Sequence, residues 1–314
     1  TLDRSSAASD VYKRQHRDYV LLRLSLTDDL LVLALWLEGD KLITRAHRIP
    51  LPEELLSLLS SYQGDPTGDL DTRVAEHLRT LDLTPALPPG RTSHAVVLPS
   101  YLASFLPLAT IGAAGNTLLD RFDAISWMPA LTPLFERQVP HPPRAGTVTV
   151  APGDTNHHSV AFGVALPDER RLEGDQATVE NVMRSAGGAD VLCLFAHGAH
   201  NGDHGPELKL HGGTGLGLSS FDARWIGMER VELWACQSGV NMPHDLLTPP
   251  VDDAFGLDHE LLRVGVRSAI GTLWPVNDFV TACIVDHFRK RLIEGRVAPH
   301  ALSLIHISEP TRPY

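Results

Sequence analysis

Val231-Glu232-Leu233-Trp234-Ala235-Cys236-Gln237-Ser238-Gly239 is a short apolar run that ends in a cysteine and a glycine turn. Upstream, Val191-Leu192-Cys193-Leu194-Phe195-Ala196-His197-Gly198 has the same layout, with a histidine at the mouth of the strand. Apolar runs of this length, bounded by turn residues, read as strands buried on both faces of a parallel sheet. If the two are neighbours, a thiol and an imidazole emerge at one sheet edge. Ligands of open α/β sheets bind at the carboxyl ends of strands, so both side chains fall where a site forms.

The rest of the chain supplies the setting. Residues 19–26 and 30–37 are rich in Leu and Val, Glu38-Gly39-Asp40 makes a turn, and residues 41–49 continue as a hairpin partner. Pro50-Leu51-Pro52-Glu53-Glu54 starts a helix whose apolar face is Leu55, Leu56, Leu58 and Leu59. Residues 63–70 read as loop, and Val74, Leu78 and Leu81 predict a second helix over 72–81. Pro85, Pro88, Pro89 and Gly90 mark a boundary. Strands are expected at 95–98, 122–127 and 147–150, with a helix-like stretch at 131–135 and a linker at 140–146. Thr178 is placed to cap a helix carrying Val179, Val182 and Met183. After the two motif strands come a helix at 258–264 and a strand at 268–273. Asn277 caps a last helix with Phe279, Val280, Cys283, Ile284 and Phe288 on its apolar face, closed by Gly295. Strands alternating with helices predict a mostly parallel sheet covered on both faces.

Composition narrows the function classes. The 314 residues, 43% hydrophobic and 21% charged, fit an ordinary globular protein with a sizeable core. A net charge of −11 argues against a nucleic-acid partner, which needs a basic face. No run of roughly 18 apolar residues is present, so no membrane span is expected. Thr1-Leu2-Asp3-Arg4-Ser5 shows no apolar signal segment, and three cysteines fit a reducing cytosol, so the expected location is cytoplasmic. Residues 5–15 and 303–314 resemble translated sequencing adapter, so the expected division sets 1–15 and 303–314 apart as non-native.

A thiolate is the nucleophile, and a free thiol with a pKa of about 8.5 is mostly protonated at neutral pH. An adjacent imidazole can take that proton and later return one to a leaving amine. Gly198 and Gly239 allow positive φ or close backbone approach, so these turns can aim amide groups at an oxyanion. Cys193, mid-strand, and Cys283, on a helix face, read as core residues. His197, His200, His204 and His211 raise a metal reading, but the glycines around them describe a flexible loop and not a ligand-bearing scaffold. Gly212-Gly213-Thr214-Gly215-Leu216-Gly217 lacks the Lys-Ser/Thr of a phosphate loop. Asp168-Glu169-Arg170-Arg171 reads as a solvated loop.

Ala196-His197-Gly198 and Trp234-Ala235-Cys236-Gln237-Ser238-Gly239 resemble the His-Gly and Ala-Cys-x-[Ser/Thr]-Gly motifs of the CHAT domain family, bacterial caspase-like domains often associated with tetratricopeptide repeats. The separation of the two (236 − 197 = 39) also resembles the family, as do Gly187-Gly188-Ala189-Asp190-Val191-Leu192 and the stretch Gly265-Val266-Arg267-Ser268-Ala269-Ile270-Gly271-Thr272-Leu273-Trp274-Pro275-Val276-Asn277-Asp278. So does Arg48-Ile49-Pro50-Leu51 after the hairpin, which extends the likeness from about residue 19 to about residue 302. The resemblance, shared with the clan of caspases, separases and gingipains, implies an α/β fold. This is a caspase-like three-layer sandwich with a mostly parallel central sheet, preceded by a β-hairpin and helices. Residues 16–88 would be the hairpin and helices that open the domain, and 89–302 its core. It implies a cysteine endopeptidase with Cys236 as nucleophile, His197 as base and acid, and the backbone N–H of Gly198 and Cys236 as oxyanion donors. No cofactor is implied. The partner is a protein or peptide substrate, with flanking repeat or sensor domains in a larger protein.

Two departures qualify the likeness. Residues 99–108 deviate from the polar loop usual on the substrate side. Relatives that cleave after basic residues carry an acid near the dyad, and Trp234 stands two before Cys236, so an acid must come from elsewhere. Asp203, Asp222, Asp252 and Asp253 are the candidates. Competing expectations are a catalytically silent interaction or sensor module of the same fold and a metal-dependent hydrolase built on the histidine cluster.

Overall fold

The computed structural model describes residues 19–62, 68–100, 103, 106, 110–128, 144–153, 166, 168–201, 205–236, 238, 242–243, 254–272 and 276–295. The helix-like stretch at 131–135, Gly239 and the candidates Asp203, Asp252 and Asp253 lie outside the described residues. The chain divides into two compact units, Thr1–Ala130 with Leu302–Tyr314, and Leu131–Ala301.

In the first unit, strands β1 (Tyr19–Leu26), β2 (Asp29–Glu38) and β3 (Lys41–Pro50) form an antiparallel meander, with Gly39 at φ 63° in the expected turn. Helices α1 (Glu53–Tyr62) and α2 (Gly68–Leu78) follow. Strand β4 (Thr92–Pro99), the short helix α3 (Leu118–Arg121) and strand β5 (Phe122–Trp127) complete the unit. β4 pairs in parallel with both β1 and β5, which gives the order β3-β2-β1-β4-β5. Alternation sets the buried face: Val20, Leu22, Leu24, Val32, Ala34 and Trp36 point inward.

The second unit is built on five parallel strands: β6 (Thr147–Ala151), β7 (Glu169–Glu173), β8 (Val191–Phe195), β12 (Arg230–Trp234) and β15 (Ala269–Ile270), in the order β15-β12-β8-β6-β7. Between β7 and β8 lies α4 (Val179–Ala186), capped by Thr178, whose hydroxyl accepts the Asn181 N–H. Between β8 and β12 lie β9 (His197–Asn201), β10 (Gly205–Lys209) and β11 (Gly215–Gly217). The strand pair β13 (Met242–Pro243) and β14 (Ala254–Phe255) precedes α5 (Leu257–Arg263), and α6 (Asp278–Ile293) is the last helix.

The pleat sorts the sheet residues into two layers. Val148, Val150, Leu192, Leu194, Val231 and Leu233 face one way and pack with Val182, Met183 and Ala186 of α4 and Leu257 and Leu261 of α5. Thr149, Cys193, Phe195, Glu232 and Trp234 face the other way, where Phe288 and Arg289 of α6 meet them. Helices on both faces of a parallel sheet make this the caspase-like three-layer α/β sandwich.

Three local expectations change. Residues 168–171 are not a solvated loop: β7 starts at Glu169, whose side chain is 3% exposed and meets Arg289, so the charged run hides an inward carboxylate. The histidine- and glycine-rich stretch from 197 to 217 is not a flexible loop along its described length. β9, β10 and β11 form an antiparallel sheet because Leu208 and Leu216 alternate into the core. On α6 the inward face is Thr281, Ala282, Val285, Phe288 and Arg289, whereas Phe279 is 63% exposed. Arg289 takes a core position because its charge has buried partners.

Candidate functional site

β8 and β12 are in register, with Leu192 opposite Val231 and Phe195 opposite Trp234. Neighbouring strands lie about 4.8 Å apart, so the two chains leave the sheet side by side. His197 and Cys236 each come two residues after the last paired position. The two strands are neighbours as expected, and both positions lie just past the same edge of the sheet, with Cys236 half-buried and His197 exposed.

Gly198 shows why that position needs glycine. A Cβ there would overlap the carbonyl oxygen of Cys236 and lie 2.9 Å from its carbonyl carbon. Its φ is not in the positive range that other glycines of the chain adopt. Close approach of two backbones, and not an unusual turn, excludes a side chain.

The Cys236 sulfur is directed at the start of the α6 segment. The Val276 N–H donates to Sγ at 3.4 Å, and the Val276 carbonyl lies 3.8 Å away. Among the described residues the sulfur has no hydrogen bond to His197. Such contacts are often long in free enzymes and tighten when substrate binds. The segment after the nucleophile is tied down too. Ser238, 1% exposed, donates its hydroxyl to the Leu233 carbonyl at 2.8 Å and accepts the Thr272 N–H at 3.1 Å. Thr272 in turn donates its hydroxyl to the Ala235 carbonyl.

A buried polar network lies behind the strand ends on the α6 face. Glu232, with no exposed surface, accepts from Arg230 Nε at 2.7 Å, Trp234 Nε1 at 3.0 Å and the Cys193 thiol at 3.2 Å. Arg289 donates to Thr149 Oγ1 at 3.1 Å, reaches Glu169 at 3.4 Å and lies over the Phe195 ring. Burial, reinforced by the Glu232 carboxylate, pushes the Cys193 thiol well above the ordinary thiol range. Cys193 is therefore the expected core residue, but it is a hydrogen-bond donor rather than a plain hydrophobe. Burial also works against the Glu169 carboxylate, yet the Thr149 hydrogen bond and Arg289 hold it below its usual value.

Of the acids proposed for a substrate pocket, Asp222 lies within the described residues. It caps a short 3-10 turn at residues 223–225 and spends both oxygens on Arg224, at 2.6–3.1 Å. That pairing pulls its carboxyl down to about 2. On the sheet face that carries His197, Lys209 stands directly opposite it and pairs with Glu207. Among the described residues no group of three or more His, Cys, Asp or Glu side chains is arranged to hold a metal. His211 sits in a 3-10 turn with Gly212 at φ 75°, and His204 lies outside the described residues.

Sequence reasoning missed Thr272, Val276, Glu232 and Arg289. The first two act through hydrogen bonds that span 34 to 40 residues, which local pattern does not show. Glu232 did leave a signal: an acid inside a continuous apolar strand needs buried donors.

Comparison with known proteins adds one match. The family model described as CHAT domain covers residues 96–308, which runs from within β4 through α6 and takes in every site residue above. No curated protein matches the chain.

Proposed function

This chain belongs to the CHAT domain family, and we propose that it is a cysteine endopeptidase acting through Cys236 and His197. The observation that carries the reading is the β8–β12 register, which delivers an imidazole and a half-buried thiol to adjacent strand ends. In the proposed reaction His197 takes the Cys236 proton and the sulfur attacks the carbonyl carbon of a peptide bond. The negative charge on the tetrahedral oxygen is met by the N–H groups of Gly198 and Cys236. His197 then protonates the departing amine as the C–N bond breaks, leaving a thioester on Cys236. Water, deprotonated by the same imidazole, attacks the thioester and releases the acid with the free thiol. The chemistry requires no cofactor.

The substrate is a protein or peptide, and the family likeness supports a bacterial, cytoplasmic setting with flanking repeat or sensor domains. Among the described residues no helix is long and apolar enough to cross a membrane. The side chain recognised next to the cleaved bond is a separate matter, since Asp222 is already engaged by Arg224.

A second reading, an interaction module without turnover, draws on the bonding of the Cys236 sulfur to Val276. An electrophilic peptide probe separates the two. The peptidase is labelled at Cys236, and labelling disappears in Cys236→Ala and His197→Ala. Labelling that survives both substitutions refutes the dyad, and a parent protein that never labels favours the silent module.

A further inference from the structure

The Ala235 carbonyl receives two donors. One is the Thr272 hydroxyl, and the other is the Ser238 N–H at 3.3 Å. Ser238 is itself anchored, its hydroxyl bridging the Leu233 carbonyl and the Thr272 N–H. Thr272 and Ser238 therefore hold each other and together hold one peptide group, the one that joins Ala235 to Cys236.

That peptide group also contains the Cys236 N–H. A trans peptide is planar, and its C=O and N–H point in opposite directions. Fixing the carbonyl oxygen against Thr272 and Ser238 therefore fixes the N–H on the far side. Among the described residues neither side chain hydrogen-bonds to the sulfur, whose partner is Val276. The donors lie on the buried side of the loop, where Ser238 is 1% exposed, so the N–H is turned away from that buried side.

We propose that Thr272 is a positioning residue that, with Ser238, aims the Cys236 N–H at the oxygen of the substrate carbonyl. The inference rests on the peptidase reading and deepens it, because it gives the oxyanion donor a mechanical support. It also assigns a role to the Gly271-Thr272 part of the sequence ahead of α6. The same segment presents the Val276 N–H to Sγ, so nucleophile and oxyanion donor are referenced to one stretch of chain. Oxyanion donors act by preorganisation, and displacement by about 1 Å costs up to about a hundredfold in rate.

The test compares Thr272→Val, which keeps the shape and loses the hydroxyl, with Thr272→Ser, which keeps the hydroxyl. Ser238→Ala is a second variant. An electrophilic peptide probe gives the maximal rate of labelling at Cys236 and, separately, the probe concentration at half that rate. Thr272→Val is expected to lower the maximal rate by about tenfold or more while the half-saturating concentration stays within about twofold. Thr272→Ser restores the rate. A merely structural role would lower the folded fraction without this split, so thermal midpoints are measured alongside.

A Thr272→Val protein that labels at the parental maximal rate overturns the proposal. So does a loss that Thr272→Ser fails to restore. If the parent protein itself never labels, the peptidase reading fails, and the support is read without catalysis by deuterium exchange over residues 235–238. Exchange there rises about tenfold in Thr272→Val and not in Thr272→Ser if the support is real. Unchanged exchange overturns it.

Discussion

Replacing Glu232 by Gln tests whether the buried network holds the two motif strands together. The carboxylate accepts three donors: Arg230 and Trp234 from its own strand, and Cys193 from β8. A glutamine offers one oxygen and a donating amide. If the amide replaces Oε1 it faces the Arg230 guanidinium, and if it replaces Oε2 it faces the Trp234 N–H and the Cys193 thiol. Either way at least one buried donor meets another donor, at about 1–3 kcal/mol for each unsatisfied group. The negative charge is lost as well, beside Arg230 at 12% and Arg289 at 1% side-chain exposure. Breaking a buried ion pair on one side costs about 3–5 kcal/mol, and that range already includes the orphaned partner. The expected loss is therefore about 3–5 kcal/mol, a large share of a stability of about 5–15 kcal/mol. Because the chain has two compact units, one bulk unfolding curve would mix transitions. Native-state hydrogen exchange at the amides of β8 and β12 measures the opening free energy where the change is made. A shift below about 1 kcal/mol would show that the network contributes little and refute the reasoning.

Two further outcomes follow from single contacts. Gly198→Ala places a methyl group on the Cys236 carbonyl, so it is expected to cost about 1–3 kcal/mol and to slow Cys236 labelling by up to about a hundredfold. A variant that melts and labels like the parent contradicts the close approach. Desolvation pushes the Asp258 carboxyl up to about 7 from 3.8, so the folded chain holds a proton that the unfolded chain releases. The unfolded state binds fewer protons between those values, and stability therefore falls as pH rises from about 4 to about 7 and then levels. Relative to Asp258→Asn, the parent protein is expected to lose about 3 kcal/mol between pH 5 and pH 8. Parallel pH profiles of the opening free energy, read by native-state hydrogen exchange at the α5 amides of the two proteins, contradict the shifted carboxyl.

The strands that carry the site were legible because they are buried on both faces. A continuous apolar run such as Val191-Leu192-Cys193-Leu194-Phe195 needs no knowledge of its neighbours to be read as a strand. Asn277 was legible for a similarly local reason, since its side chain accepts the Phe279 and Val280 N–H groups in the first turn of α6. β10 was not, because only Pro206 and Leu208 of its five residues face inward and glycines surround it. β7 failed for the opposite reason: Glu169 and Arg171 look solvated until Arg289, 120 residues away in sequence, supplies a partner for the acid. The same long-range partner brought Arg289 into the core and left Phe279 outside. The strands that end at His197 and Cys236 could thus be read, while the long-range partners around them could not.

The register itself explains why a polar core is found behind this pair. Cys193 lies four residues before His197, and Glu232 lies four before Cys236. They are direct partners across β8 and β12, so their hydrogen bond stands two full repeats of the pleat pattern behind His197 and Cys236. A slip of one residue between the strands would turn Glu232 out of the reach of Cys193 and strand a buried charge. An apolar pair at the same place would lose far less on slipping, because one hydrophobe can replace another. The Cys193–Glu232 contact therefore penalises the misregistered sheet more than it stabilises the correct one, and the register it protects is the one that brings the β8 and β12 ends, and with them residues 197 and 236, out of the sheet side by side.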